Sequence, residues 1–173
     1  MLVVGDLKAA LNVPDGAASL KTFVQAGGRL LLLQPGEALC RFLPDRVKRY
    51  RATKGEIVSM VVPESPVFDG IDPLDLSWFE LGPKTTPIAC TGTWEVNRAQ
   101  SGVETLAHQC EYHGHDLDKD RKGFFEVAGA PLVEIHLGQG TIIASELVLA
   151  AKDRDPIAGR LLKNLLKTLD ETN

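Results

Sequence analysis

Short unbroken blocks of apolar residues, each closed by glycine or proline, alternate along this chain with stretches patterned at helical spacing. Leu2-Val3-Val4 reads as a buried strand ending at Gly5, and residues 7–11 read as a short helical turn before the turn signal Pro14-Asp15-Gly16. Ser19 is placed to cap a helix whose apolar face carries Leu20, Phe23 and Val24. Gly27 stands where that helix should stop, because glycine tolerates the left-handed conformation of a helix end. Leu30-Leu31-Leu32-Leu33 is apolar on both faces, as in a central parallel strand covered by helices. Strand, helix and strand with short joints make a βαβ unit, whose crossover is expected to be right-handed.

Residues 57–62 predict a third strand, and the run 63–71 after it is dense in turn formers. A further strand is expected around 91–96, and the polar stretch 108–122 is expected to be a long, mobile loop. Trp78 and Phe79 fall in the irregular stretch 72–83, where aromatics anchor a loop in the core or meet a partner. Residues 132–137 and 141–145 flank Gly138-Gln139-Gly140, a hairpin signal that lacks the lysine or third glycine of a phosphate-binding loop. Asp155 predicts a helix cap with Pro156 in the first turn. Ile157, Leu161, Leu162, Leu165, Leu166 and Leu169 then share one side, while Lys163 and Lys167 face away.

The 173 residues suit one domain with a sizeable core, and 44% hydrophobic with 24% charged residues is ordinary for a globular chain. A net charge of −4 argues against a broad nucleic-acid surface. The one basic run, Arg46-Val47-Lys48-Arg49-Tyr50-Arg51, reads as a solvated loop or helix face, with a phosphate or partner contact as the alternative. Three cysteines, Cys40, Cys90 and Cys110, make no disulfide framework. The start has no basic lead of a signal peptide, and no segment reaches membrane-spanning length, so the compartment stays open.

One position carries most of the functional information. The strand at 30–33 runs into the turn Gln34-Pro35-Gly36-Glu37, the sharp strand-to-helix corner at which many α/β enzymes expose a Ser or Cys nucleophile. Here the corner offers an amide, a ring and a glycine. That points away from an independent enzyme.

The pattern resembles the class I glutamine amidotransferase-like superfamily, a flavodoxin-like α/β fold. Within it, the chain is most similar to non-catalytic domains in the C-terminal part of bacterial glycoside hydrolases such as β-galactosidases and family 2-like enzymes. The residues carrying the resemblance are Phe23-Val24-Gln25-Ala26-Gly27-Gly28-Arg29-Leu30-Leu31, Ser65-Pro66-Val67-Phe68-Asp69-Gly70-Ile71, Ala130-Pro131-Leu132-Val133-Glu134, Gly138-Gln139-Gly140-Thr141 and the ending from Asp155 to Leu166. The resemblance implies a three-layer sandwich with a mostly parallel sheet. A complete domain of that kind has one or two βα units before the strand at Val3, so an N-terminal truncation, or a partner covering that sheet edge, is expected.

Departures from the catalytic members are specific. Cys40 lies beyond the corner without flanking glycines, and reads as a small buried hydrophobe. Glu134 and His136 share a strand face, but their order reverses the family's His-x-Glu and no nucleophile completes the set, so the pair reads as scaffold. His108, Cys110, His113 and His115 place four borderline or soft donors within eight residues, with Asp116, Asp118 and Asp120 adding oxygens. Their spacing matches no common zinc site, and a flexible acidic loop with incidental histidines is the simpler reading. No pair of carboxylates is fixed as a glycosidase acid and nucleophile.

The expectation is thus a non-catalytic accessory or assembly domain of a carbohydrate-active enzyme, with no cofactor. It would contact sister domains or subunits through the strand at Val3 or the loop at Trp78 and Phe79. The alternatives are a stand-alone hydrolase or amidotransferase relative with an altered, metal-dependent site, and a sugar-binding module using Trp78 or Trp94.

Overall fold

The computed structural model describes residues 1–76, 88–97, 99–113 and 124–171. It opens with β1 (Leu2–Val4), α1 (Leu7–Asn12), α2 (Gly16–Gln25) and β2 (Arg29–Leu33), the βαβ unit expected from the sequence. Asp6 caps α1, its Oδ1 accepting from the Ala9 amide at 2.8 Å. The second helix starts earlier than Ser19, at Gly16. The turn at Pro14-Asp15 folds straight into it, and Gly16 packs so tightly that a Cβ would meet the Ala10 carbonyl oxygen. At its other end Gly27 adopts φ +98°, and the Gly28 amide reaches back to the Phe23 carbonyl at 2.9 Å.

β2 lies between β1 and β8 (Gly140–Ser145), parallel to both. Leu31 faces one apolar cluster with Ile143 and the helix α4 (Pro156–Glu171), while Leu30 and Leu32 face a second cluster with α1, α2 and α3 (Ala38–Phe42). Helices therefore cover both faces of the parallel strands, and three layers result. Each fully buried leucine contributes roughly 1.5–3 kcal/mol relative to exposure. Asp155 caps α4 through its Oδ1, which accepts from Ile157 at 2.9 Å and Ala158 at 3.1 Å. Arg29 donates to the Leu169 carbonyl at the helix's far end, at 2.9 Å.

The rest of the sheet corrects the expectation of mostly parallel strands. β3 (Val47–Gly55), β4 (Ile57–Met60), β5 (Cys90–Val96), β6 (Val103–His113) and β7 (Phe124–Leu137) join β8 in one eight-stranded network, and every pairing among these is antiparallel. The cause is the connections. Parallel neighbours need a crossover of a dozen or more residues, usually a helix, and between β3 and β8 no α-helix occurs among the described residues. β7 is the pivot, pairing with β6 on one edge and with β8 on the other. Where β8 ends, β5 takes over at Trp94↔Ala130.

The basic run, expected as a loop or helix face, and residues 108–113 of the loop expected over 108–122 are strands instead, while residues 114–122 lie outside the described residues. The basic run lies in β3, with Val47 buried, Tyr50 half-buried and Lys48, Arg49 and Arg51 exposed. Residues 108–113 end β6, a polar strand held by β4 on one side and β7 on the other.

Candidate site at the strand-to-helix corner

The pairing of β2 with β8 ends at Leu33↔Ser145, and there the chain turns. The Gln34 amide donates to the Ser145 carbonyl at 2.7 Å, and Gln34 sits at φ +48°, a left-handed conformation that residues with a side chain rarely adopt. A sharp strand-to-helix corner with a strained residue at its tip is the geometry of a nucleophile elbow, and here a glutamine occupies the tip. Its Nε2 donates to Thr91 Oγ1 at 3.3 Å.

The two residues after Gln34 matter as much. In an elbow, the backbone N–H after the nucleophile stabilises the oxyanion. Here that residue is Pro35, which has no N–H. The next amide, Gly36, donates to Glu146 Oε1 at 2.7 Å, while the Gly36 carbonyl accepts from Trp94 Nε1 at 3.0 Å. Gly36 is therefore clamped on both of its backbone polar groups.

Glu146 directly follows β8 and is only 1% exposed. Its Oε2 accepts from Thr91 Oγ1 at 2.9 Å and from the Tyr50 hydroxyl at 3.3 Å. Tyr50 lies on Gly92, where a Cβ would come within 2.5 Å of the ring and hydroxyl, so only glycine admits it. Burial raises the Glu146 carboxyl above its ordinary value, and the bonds from Gly36, Thr91 and Tyr50 pull it back towards ionisation. Burial, with the neighbouring Glu146 charge, pushes Tyr50 up to about 12. Cys90, fully buried nearby, is pushed up to about 12 mainly by burial, so its thiol is inert. The cluster accepts and donates hydrogen bonds but presents no activated nucleophile among the described residues.

Other candidate residues fall elsewhere. Glu134 and His136 do meet, Oε1 to Nε2 at 3.4 Å, and burial raises the Glu134 carboxyl. They stand opposite Ile143 and Thr141, towards the amino end of β8, so strand geometry puts them roughly 10 Å or more from the corner. Cys40 lies half-buried in α3, with burial and then Glu37 raising its thiol. Among the described residues no group of three His, Cys, Asp or Glu side chains is arranged to hold a metal ion. Cys110 Sγ lies 3.7 Å from Ser59 Oγ, and His108 lines a different groove. His113 closes β6, and His115 lies outside the described residues, as do Trp78 and Phe79. Trp94 is 1% exposed, so it has no free face for a sugar to stack on. Val3 is 43% exposed at the outer edge of β1.

Sequence reasoning located the corner but missed Glu146, Tyr50 and Thr91. A signal for Glu146 exists, since it is the one charge in the otherwise apolar or small run 142–151.

Solved structures share this architecture. A cytoplasmic protein from Salmonella typhimurium superposes with a TM-score of 0.53 at 16% identity, over 89% of this chain and 60% of its own. A ThuA-like protein from Bacteroides uniformis superposes with a TM-score of 0.55 at 12% identity, over 94% of this chain and 66% of its own. The chain shares their fold. At these identities the likeness concerns fold alone, and the chain spans less than two thirds of either protein's length. A β-galactosidase from Bacillus circulans also matches, with a TM-score of 0.46 at 14% identity over 96% of this chain and 21% of its own, too loosely to carry weight. No protein-family model matches the sequence, and no curated protein matches it.

Proposed function

We propose that the chain is a non-catalytic accessory or assembly domain of a larger carbohydrate-active enzyme, built on a flavodoxin-like, glutamine amidotransferase-like fold. The observation carrying this reading is the occupied corner. Gln34 holds the strained position, Pro35 removes the oxyanion-binding amide, and Glu146 and Trp94 consume both polar groups of Gly36. A reactive corner has become a hydrogen-bonded lock between β2, β3, β5 and the end of β8. The carbohydrate context rests on the sequence motifs shared with glycoside hydrolase domains.

The contact surface in this reading is the outer edge of β1. Leu2 and Val3 are 40% and 43% exposed there, beside backbone groups that pair with no strand among the described residues. Such an edge is an aggregation hazard unless a neighbour covers it. Intact-mass analysis and cross-linking of the native protein from its source test the proposal. The expected result is a species well above 18.8 kDa that contains a glycoside hydrolase, with cross-links from the β1 end. A free 18.8 kDa species with hydrolytic activity of its own would sink it.

A further inference from the structure

An open groove of about 570 Å3 lies where β5 parts from β7. One wall comes from β3 and β5, the other from β6 and β7. Among the described residues Trp94↔Ala130 is the one register pair between β5 and β7, with Thr93 Oγ1 donating to the Ala128 carbonyl at 3.4 Å beside it, so no continuous backbone ladder joins the two strands. Gly129 permits the close approach at this point. It adopts φ +149°, and a Cβ there would lie 2.8 Å from Thr93 Cβ and Oγ1.

Irregular pairing runs along both walls of the groove. A register shift between Val47 and Arg49 lets consecutive residues, Lys48 and Arg49, line the same groove, although a regular strand would send them to opposite faces. Successive shifts in β6 accompany Thr105 and His108 on the facing wall. Arg51 is held by Glu111 at 3.1 Å, whereas Lys48 and Arg49 form no ion pair among the described residues. Glu95, opposite Arg49 in register, is the one acidic residue of the lining. Two neighbouring cations repel one another, so an anion placed between them gains from both. In a chain of net charge −4, this concentration of cations is local and specific.

We propose that the groove binds a small polyhydroxylated anion, a sugar acid or a sugar phosphate. Its charged group lies between Lys48 and Arg49. Its hydroxyls meet Thr105, the Asn97 amide oxygen and the unladdered backbone. Asn97 Nδ2 is already committed to the Asp45 carbonyl at 3.0 Å, which fixes that amide in place. The volume falls within the roughly 300–1,000 Å3 of small-molecule sites. This inference stands on the groove alone, independently of any parent enzyme.

Amide NMR titrations of the whole chain with glucuronate, glucose 6-phosphate and neutral glucose test it. At least one charged sugar is expected to shift the amides of 48–51, 95–97 and 127–130, while glucose leaves them in place. Whichever charged sugar binds more tightly separates the carboxylate from the phosphate source. Added salt weakens binding, and the double variant Lys48→Ala/Arg49→Ala weakens it by at least about tenfold, as loss of two charge-assisted contacts at a solvated site requires. Both residues are exposed, so the variant keeps the wild-type spectrum outside the groove. Binding by neither charged sugar, equal binding by glucose, or wild-type affinity in the double variant overturns the proposal.

Discussion

Replacing Glu146 separates a lock from a leftover catalytic carboxylate. In Glu146→Ala the Gly36 amide loses its acceptor at 2.7 Å, while the Thr91 and Tyr50 hydroxyls lose the carboxylate at 2.9 and 3.3 Å and keep only the longer bonds to the Glu146 and Thr91 carbonyls at 3.3 and 3.5 Å. A buried donor left unsatisfied costs about 1–3 kcal/mol. Relief from burying a carboxylate offsets part of this, and the net loss expected is about 2–4 kcal/mol. That is a large share of the roughly 5–15 kcal/mol stabilising a typical domain. Glu146→Gln keeps one acceptor for Gly36, and its amide nitrogen can donate to the two hydroxyls, so it loses about 1 kcal/mol or less near neutral pH. Urea unfolding followed by tryptophan fluorescence reads both, because Trp94 is bonded to the Gly36 carbonyl. The pH dependence has a definite sign. Folding raises the Glu146 carboxyl above its ordinary value of 4.5, so in the window above that value the folded state binds more protons than the unfolded one. The contribution of this group is full below pH 4.5 and declines as pH rises, levelling off once the folded carboxyl has ionised. The stability of Glu146→Gln relative to wild type therefore improves as pH rises through that window. A difference that stays flat or worsens with pH, or an alanine variant within about 1 kcal/mol of wild type, would refute the reasoning.

Other perturbations probe the same architecture. Gln34→Gly relieves the φ of +48° and changes stability by about +1 kcal/mol at most, since an exposed bond to Thr91 is lost, whereas Gln34→Val costs about 1–3 kcal/mol. Thermal melts that rank valine above glycine would contradict the strain. Gln34→Cys is expected to acylate with an activated ester no faster than a free cysteine thiol, because Pro35 supplies no oxyanion donor. A rapid burst, read by intact mass, would show that another donor serves. Gln109 is buried and its Oε1 has no hydrogen-bond partner among the described residues, so Gln109→Met should stay within about 1 kcal/mol of wild type in urea unfolding. A loss above about 2 kcal/mol would show that the bond from Gln109 Nε2 to the Cys110 carbonyl, at 3.2 Å, outweighs the cost of burying the unpartnered oxygen.

Local signals in the sequence were strong wherever neighbours along the chain set the structure. Gly27 ended α2, Asp155 with Pro156 began α4, and Gly138-Gln139 closed the β7–β8 hairpin, because each acts within a few residues. The leucines of β2 were readable as doubly buried for a similar reason: four in a row leave no polar face. In the antiparallel half β4, β5 and the β7–β8 hairpin were legible as strands, whereas β3 and β6 were not. β3 and β6 are polar strands whose partners include residues 40 or more positions away, and period-two alternation is hidden in them by bulges at Val47/Arg49 and at Thr105 to Cys110. A bulge adds one residue to one strand, so it reverses the apparent inside and outside of every later position in that strand.

The same logic explains what became of the corner. A nucleophile is a property of one residue and its absence is visible in one line of sequence. The hydrogen-bonded lock at this corner is assembled from Gln34 after β2, Tyr50 in β3, Thr91 and Trp94 in β5, and Glu146 after β8. No spacing rule joins those positions, because only the sheet brings them together. Glu146 alone carries a signal, passed over in the sequence, as a charge that an apolar run tolerates only if donors are waiting for it. A buried carboxylate needs the hydroxyls of Thr91 and Tyr50 and the Gly36 amide, and Gly36, itself at φ +57°, presents that amide two residues after the strained Gln34. The strained Gln34 is thus held in place by hydrogen bonds that reach the corner from distant strands, through Glu146 and Trp94 on Gly36 and through Thr91 on Gln34 itself.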